Sequence, residues 1–305
     1  MSETPPPEGE VWIGDDAAVL RLPARGQALL LATDAVVAGV HADLELVGLD
    51  DFGWKSLAAA VSDIAAMGGV PGHCLVSVLG PPDTDLDQLY RGLSAAAKRW
   101  ACPIVGGDLV NAPTLAVSVA VTGWVPSGCR AVLRSGARPG DLIFVTGSLG
   151  ASAAGLAILR DASPDPASPD PASPDPVGER LVVSHRRPLA RVAEGLAASA
   201  GGATAMIDVS DGLATDLAHL ASASGVGFSL NDVPVAEGAS LADALGGGED
   251  YELIFAAPDE GAVMAAFAAT ESGAPRLIGR CTSDPSERLL RGEQLGRLGW
   301  EHEWG

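Results

Sequence analysis

The chain has 305 residues, which suits two domains of ordinary size, and its 47% hydrophobic content excludes wholesale disorder. Thirty-nine Asp and Glu residues stand against 19 Lys and Arg, so the formal net charge is −20. A chain this acidic is a poor candidate for binding nucleic acid or an anionic membrane. A polyanionic substrate would need divalent cations to offset the repulsion.

The cysteines and the N-terminus predict a cytoplasmic protein. No Cys-x-x-Cys pair is present, which argues against a zinc site and against a disulfide framework. We interpret the widely separated cysteines as core thiols in a reducing compartment. The N-terminus has neither the basic region nor the apolar run of a signal peptide. Gly, Asp or Pro interrupts every apolar stretch before it reaches a membrane-spanning length.

Strands and helices alternate along both halves of the chain, which predicts an α/β or α+β fold. In the first half we predict strands at Ala28–Asp34, His73–Leu79 and Leu115–Val125, and helices at Trp54–Met67 and Asp85–Trp100. In the second half we predict strands at Asp141–Thr146 and Tyr251–Ala256, and helices at Ser152–Leu159, Pro188–Ala198 and Leu213–Ser224.

Turn-forming residues from Pro126 to Gly140 divide the chain into an N-terminal domain of residues 1–128 and a C-terminal domain of residues 129–305. An ASPDP unit repeats three times from Ala162 to Pro176. Alternating Pro with Ser and Asp forms neither helix nor sheet, so residues 162–176 are predicted to be a disordered loop. A tolerated insertion is the favoured interpretation, and a motif that docks a partner is the alternative.

Several aspartates lie where a strand or helix ends beside glycine, a position that suits a binding site. They are Asp16 in IGDDAAVL, Asp34 after ALLLAT, Asp108 after IVGG, and Asp208 and Asp211 in IDVSDGL. Capping of a helix N-terminus is an equal alternative for Ser210 or Asp211. Capping explains less for Asp34 and Asp108, which follow strand-like runs.

Asp63 lies opposite the apolar face of its predicted helix, among small residues such as Ala59 and Ala60. A solvated polar face is the ordinary alternative, but such a face would carry Lys and Glu. A carboxylate among small residues suits a cleft. If these carboxylates converge, their mutual repulsion requires hard divalent cations, and Mg²⁺ with several Asp ligands indicates phosphate chemistry.

Two glycine-rich loops and one histidine complete the candidate site. VTGSLGAS could hold an anion on backbone N–H groups, although a plain strand–turn–helix is the simpler alternative. Gly246–Gly248 would let the backbone approach a ligand closely beside Glu249. His41 follows Asp34 by seven residues, and a lone histidine is more often a core or surface residue.

Eight motifs in order resemble the thiamine-monophosphate kinase family, within the superfamily of aminoimidazole-ribonucleotide synthetase. They are IGDDAAVL, TDAVVAGVH, KSLAAAVSDIAAMGGVP, IVGGD, LRSGARPGD, VTGSLGASAAGLA, IDVSDGL and GGEDYELIF. The resemblance implies ATP-dependent transfer of a phosphoryl group to thiamine monophosphate, which gives thiamine diphosphate. It also implies two domains: an N-terminal mixed sheet that pairs across a homodimer, and a C-terminal α/β domain resembling a sandwich.

The resemblance also implies a role for individual residues. Several Mg²⁺ ions would be bound by Asp16, Thr33, Asp34, Asp63, Asp108, Asp208 and Asp211. ATP would contact Gly107, Asp108, Arg134 and Ser210. Thiamine monophosphate would contact His41, Glu249 and Trp300.

The implied mechanism is direct in-line attack by a phosphate oxygen of the substrate, without a covalent phospho-enzyme. The alternatives are another ATP-using member of the superfamily and a non-catalytic nucleotide-binding relative. A selenophosphate synthetase would need a reactive Cys or selenocysteine before Gly14, and a hydrogenase-maturation relative would need a C-terminal Cys; neither is present.

Overall fold

A computed structural model of the chain describes residues 27–161, 176–270, 273–296 and 298–299. The ASPDP repeat therefore lies outside the described residues, apart from Pro176. The chain divides into an N-terminal unit, up to residue 130, and a C-terminal unit, from residue 131 onward together with residues 65–68. No helix in the described ranges is long and apolar enough to cross a bilayer.

From residue 27 onward, the N-terminal unit has four strands and two helices. They are β1 (Leu29–Val37), α1 (Leu49–Ala66), β2 (Val70–Gly80), α2 (Leu86–Arg99), β3 (Ile104–Asn111) and β4 (Ala116–Trp124). The strand order is β1-β4-β2-β3, in which β2 and β3 are parallel and the other pairs are antiparallel. The predicted mixed sheet is therefore confirmed.

One face of this sheet is buried under the helices. Val76, Val119 and Val121 are at most 1% exposed. Gly123 lies so close to α1 that an added Cβ would be 2.7 Å from the Ile64 side chain. The two helices meet in backbone contact, since a Cβ at Gly92 would lie 1.6 Å from the Asp50 carbonyl oxygen.

The opposite face of the N-terminal sheet, which we call the open face, carries exposed apolar side chains. Leu31 is 72% exposed, Leu75 45% and Val110 46%, and the strand register places all three on this face. An apolar surface of this kind on a sheet marks an interaction surface.

The C-terminal unit is a seven-stranded sheet with helices on both faces. Its strands are β5 (Leu142–Val145), β6 (Ala205–Asp208), β7 (Gly227–Leu230), β8 (Leu253–Ala257), β9 (Arg276–Thr282), β10 (Arg288–Leu290) and β11 (Glu293–Gln294). Its helices are α3 (Ala151–Asp161), α4 (Pro176–Arg186), α5 (Val192–Ala200), α6 (Leu213–Ser224), α7 (Leu241–Gly246) and α8 (Glu260–Ala268). The strand order is β11-β10-β7-β9-β5-β8-β6.

Alternate residues of each central strand enter one of two apolar cores. Ile143 packs with α6 and α7 on one face, whereas Phe144 packs with α5 and α8 on the other. Phe144, Phe255 and Phe267 form a stack with centroid distances of 5.2 and 5.8 Å. The predicted layered α/β domain is therefore confirmed.

Several predicted elements differ from the structure. The sequence missed β3, because five of its eight residues are exposed and it contains two adjacent glycines. The predicted strand at Tyr251–Ala256 begins at Leu253 instead, because Tyr251 has a φ of +51° that no strand residue adopts. The predicted helix at Pro188–Ala198 begins only at Val192, after Arg191 at its N-cap position.

Candidate active site

The N-terminal unit places its acidic residues on separate strands. Thr33 and Asp34 lie in the middle of β1, and Asp108 lies in β3, at the opposite edge of the sheet. Three strand spacings separate these edges by about 14 Å. The strand register aligns Asp34 with Gly107 across the sheet, and the side chains at these positions belong to the buried face. Asp108 is one residue further along β3 and therefore lies on the open face. The N-terminal sheet therefore does not bring Asp34 and Asp108 together.

Each of these two carboxylates accepts a hydrogen bond from the next backbone N–H. Asp34 Oδ1 lies 2.6 Å from the nitrogen of Ala35, and Asp108 Oδ1 lies 2.9 Å from that of Leu109. Glycine is required at position 107, because a Cβ there would lie 1.9 Å from the carbonyl oxygen of Val76.

Asp63 lies on α1 in a buried surrounding. Ser56, Ala59, Ala60 and Ser62 are at most 2% exposed, while Asp63 itself is half-buried. The small-residue face of this helix is therefore not a solvated surface.

His41 follows β1 in a tight loop that fixes its ring. The Val37 N–H donates to His41 Nδ1 at 3.1 Å, so Nδ1 is an acceptor. This hydrogen-bond pattern assigns the neutral tautomer with its proton on Nε2, which is then the donor nitrogen. The carbonyl of the same residue accepts a hydrogen bond of 3.3 Å from the ammonium of Lys55.

Lys55 is fully buried on α1 and was missed by the sequence analysis. The signal was present, since a single lysine interrupts the apolar run GWKSLAAAV. A buried ammonium is costly unless it is hydrogen-bonded, and the His41 carbonyl provides Lys55 with a hydrogen bond.

In the C-terminal unit, one buried carboxylate organises the turn between β6 and α6. Asp216 Oδ2 accepts hydrogen bonds of 3.0 to 3.1 Å from the backbone N–H groups of Ser210, Asp211 and Gly212. Asp208 ends β6 and is 5% exposed. The pKa of Asp216 is raised to about 8, mainly by burial and secondly by repulsion from Asp208 and Asp211. This turn therefore places Asp208 and Asp211 close enough to Asp216 to disfavour its charged form.

The GGED loop, residues 247–250, is joined to this turn. The N–H of Glu249 donates to the Ser210 carbonyl at 2.8 Å, and that of Tyr251 to the Val209 carbonyl at 2.9 Å. Glu249 has a φ of +57°, a strained conformation for a residue with a side chain. Gly248 must be glycine, because a Cβ would lie 2.5 Å from the Ser210 carbonyl. The structure thus brings Ser210, Asp211 and Glu249 together.

The VTGSLG loop does not present an open anion site at the start of α3. Asp250 accepts the N–H groups of Gly150 at 2.6 Å and Ser152 at 3.1 Å. Glu252 accepts a hydrogen bond of 2.5 Å from Thr146 Oγ1 and pairs with the guanidinium of Arg191. Protein carboxylates therefore occupy these donors, which favours the plain strand–turn–helix interpretation.

A cavity of about 330 Å³ lies beside this loop. Its lining combines arginines and carboxylates in equal number, which gives no net charge to hold a phosphate. The charged residues are Arg180, Arg187, Arg191, Glu237, Asp250 and Glu252.

Three predicted site residues remain to be located. Arg134 is exposed in the segment before β5, and its carbonyl accepts a hydrogen bond of 3.0 Å from Ser224 Oγ. Asp16 and Trp300 lie outside the described residues.

The chemistry of the acidic residues fits Mg²⁺. In the described ranges, no three His, Cys, Asp or Glu side chains are grouped closely enough to bind one metal ion. Mg²⁺ keeps several waters and uses one or two carboxylates together with substrate phosphates, so it does not need such a group. The carboxyl groups of Asp208 and Asp211 in this turn are oxygen donors of the required kind.

Matches to known proteins extend over nearly the whole chain. The family model for the N-terminal domain of AIR synthase related proteins matches residues 14–125, and the model for the C-terminal domain matches residues 138–291. The chain is 37% identical to thiamine-monophosphate kinase of Salmonella typhimurium over 289 residues, which are 90% of this chain and 85% of the relative. It is 37% identical to that of Bacillus subtilis, over 80% of this chain and 76% of the relative.

Solved structures give the same result. Thiamine-monophosphate kinase from Stenotrophomonas maltophilia matches with a TM-score of 0.81 and 33% identity, over 93% of this chain and 91% of that one. AaThiL complexed with AMPPCP and TMP matches with a TM-score of 0.80 and 31% identity, over 92% and 89%. The hydrogenase maturation protein HypE, at 21% identity and a TM-score of 0.69, shares the fold alone.

The buried Asp250 predicts a pH-dependent contribution to stability. Burial raises its pKa from 3.8 to about 6 despite the two N–H donors. Because the pKa is raised, the contribution is full below about pH 4 and is lost as the pH rises to about 6. The free energy of unfolding of the wild type, relative to that of Asp250→Asn, should therefore fall by up to about 3 kcal/mol over this range.

Urea unfolding at several pH values measures this difference. Glu260→Gln, at an exposed position in the first turn of α8, is the control and should give a difference that does not vary with pH. A pH-independent difference for Asp250→Asn would contradict the prediction.

Proposed function

The chain belongs to the thiamine-monophosphate kinase family of AIR synthase related proteins, and we propose that it phosphorylates thiamine monophosphate to thiamine diphosphate with ATP. The observation that carries this proposal is the joined turn and loop of the C-terminal unit. Two backbone hydrogen bonds hold Glu249 beside Ser210 and Asp211. An acidic turn suited to Mg²⁺ and phosphate thus lies next to a carboxylate suited to a cationic substrate.

We assign the metal ligands within each unit separately. Thr33, Asp34, Asp63 and Asp108 would act in the N-terminal unit, with Asp16 outside the described residues, and Asp208 and Asp211 in the C-terminal unit. When bound there, Mg²⁺ would neutralise charge on the transferring phosphoryl group. The protein residues supply oxygen donors at fixed backbone positions, which is the preorganisation that such chemistry needs.

The nucleotide is assigned to Gly107, Asp108, Arg134 and Ser210. Gly107 lets β3 approach β2 closely beside Asp108. Arg134 is exposed, so its guanidinium is available to a phosphate. Thiamine monophosphate is assigned to His41, Glu249 and Trp300. His41 would donate from Nε2 to the substrate phosphate, because Nδ1 is occupied by the Val37 N–H.

We propose direct in-line transfer, in which a phosphate oxygen of thiamine monophosphate attacks the γ-phosphorus of ATP. The bond from that phosphorus to the bridging oxygen of ADP breaks as the new P–O bond forms. The acceptor oxygen is anionic at neutral pH, so no strong general base is required. A covalent cysteine intermediate is disfavoured, because burial raises the pKa of Cys281 to about 12 and contributes to raising that of Cys74. The free thiols of all four cysteines fit the cytoplasmic location that we propose.

The open face of the N-terminal sheet supports the proposal of a homodimer. Leu31 is 72% exposed and Leu29 is 44% exposed. Exposing such apolar side chains to water is unfavourable, and a second copy of this chain could cover them. Sedimentation equilibrium should give twice the chain mass of 30.7 kDa. Leu31→Lys should shift the mass towards one chain, whereas Val183→Lys, at an exposed position on α4, should not. A monomeric wild type would refute the dimer.

Activity should depend on Asp34 and on a divalent cation. Asp34→Asn removes one anionic oxygen donor, so we expect turnover of thiamine monophosphate with ATP and Mg²⁺ to fall at least about 100-fold, or about 2.7 kcal/mol. Chelation of the metal should abolish turnover. The control is Asp87→Asn in the exposed first turn of α2, which should keep wild-type turnover. An Asp34→Asn enzyme that keeps most of its activity would refute the assignment of Asp34 as a metal ligand.

Glu249 should serve thiamine monophosphate and not ATP. Glu249→Gln removes the charge that faces the cationic thiamine, so KM for thiamine monophosphate should rise about tenfold or more. KM for ATP should stay within about threefold, a difference under 1 kcal/mol. Steady-state kinetics with each substrate varied in turn checks this, and Glu237→Gln is the exposed control. A defect selective for ATP would refute the assignment.

A further inference from the structure

We infer that His185 is a positioning residue, which holds the carboxylate of Glu249 in the orientation that receives thiamine monophosphate. The inference rests on the substrate role proposed for Glu249. All the contacts that support it lie within the C-terminal unit.

His185 lies at the C-terminal end of α4 and is 2% exposed. Its Nδ1 is 3.1 Å from Ser152 Oγ and 3.8 Å from Glu249 Oε2. Ser152 is itself 1% exposed on α3, and its backbone N–H binds Asp250. One ring nitrogen, Nδ1, therefore contacts a fixed hydroxyl and, at longer range, the carboxylate of Glu249.

The backbone of Glu249 is already fixed by its hydrogen bond to Ser210 and by the strained φ of +57°. Only the side-chain torsions remain to be set, and a glutamate has several rotamers. The side chain of Glu249 is 25% exposed, so one side of it faces His185 while part of it reaches solvent. Nδ1 is within hydrogen-bonding distance of Ser152 Oγ but not of Glu249 Oε2, at 3.8 Å. With the proton on Nδ1, the positive end of the N–H group still attracts the carboxylate electrostatically and restricts these torsions.

A purely structural role does not explain the residue type. Gly178, Leu181 and His185 form the buried stripe of α4 at helical spacing. An aliphatic side chain would fill the third position of this stripe without the cost of burying a polar ring. A histidine placed against the partly exposed carboxylate of Glu249 in this strained loop indicates a role in orienting that carboxylate.

The test compares two substitutions that differ only in the donor. His185→Leu removes Nδ1, whereas His185→Asn keeps a side-chain N–H group close to the same place. Calorimetric titration with thiamine monophosphate, without ATP, gives the Kd, and steady-state kinetics gives KM for each substrate. His219→Leu, at an exposed position on α6, is the matched control.

We expect His185→Leu to raise Kd and KM for thiamine monophosphate about tenfold and to leave KM for ATP within about threefold. His185→Asn should restore both values to within about threefold of the wild type. In the Glu249→Gln background, His185→Leu should cause no further loss, because the group that it orients has already changed. His219→Leu should behave as the wild type.

If His185→Leu fails to fold, as judged by circular dichroism, Ser152→Ala replaces it, because the hydroxyl that fixes the ring is then lost. A smaller rise in KM, confined to thiamine monophosphate, is expected. The inference is overturned if the affected variant shifts both KM values alike, if its effect adds fully to that of Glu249→Gln, or if it binds as the wild type does.

These outcomes are distinct from failure of the proposed function. A wild-type enzyme that forms no thiamine diphosphate refutes the function, and the inference falls with it. An active wild type with a selective Glu249→Gln defect and a silent His185→Leu refutes the positioning role alone.

Discussion

The turn between β6 and α6 depends on one buried carboxylate, and the rest of the C-terminal site depends on that turn. Asp216 binds three consecutive N–H groups, which fixes the backbone of Ser210 and Asp211. The carbonyls of Val209 and Ser210 then fix the GGED loop. Because the backbone of the turn is fixed by these hydrogen bonds, the acidic side chains keep their positions without contacts to one another. This matters because Asp208, Asp211 and Asp216 repel each other.

Close backbone contacts and backbone hydrogen bonds also explain why glycines and strained residues occur at particular positions. Gly107 and Gly248 lie where another strand or turn leaves no space for a Cβ. Glu249 and Tyr251 adopt positive φ because the loop must return to the turn within a few residues. Strain of this kind persists only where the surrounding contacts over-determine the backbone. Here the contacts are the hydrogen bonds to Val209 and Ser210.

Cationic and polar side chains support the acidic residues within each unit. In the N-terminal unit Lys55 contacts the His41 loop. In the C-terminal unit Arg191 pairs with Glu252, and His185 contacts Glu249. Buried polar groups that are well partnered make a single arrangement of the site more favourable than its alternatives.

Local sequence alone determined the features that depend on short-range chemistry. The amphipathic pattern of LATDLAHLASAS and the left-handed Gly225 that follows it set α6 at Leu213–Ser224, as predicted, because a helix needs only near neighbours. Asp85 and Trp100, the predicted ends of α2, are its capping residues. The ordered acidic motifs were also sufficient to identify the family, since motif identity and order are properties of the sequence.

Only the tertiary structure decided which distant residues meet. Strand order separates Asp34 from Asp108 across the sheet, and no local pattern encodes that order. Asp250 takes the N–H groups at the start of α3 from about a hundred residues away, which a reading of VTGSLG alone could not reveal. His185 appears ordinary in sequence and becomes significant only when its burial is known. Burial and long-range hydrogen bonding depend on the whole packed chain, and that is why they had to be seen in the structure.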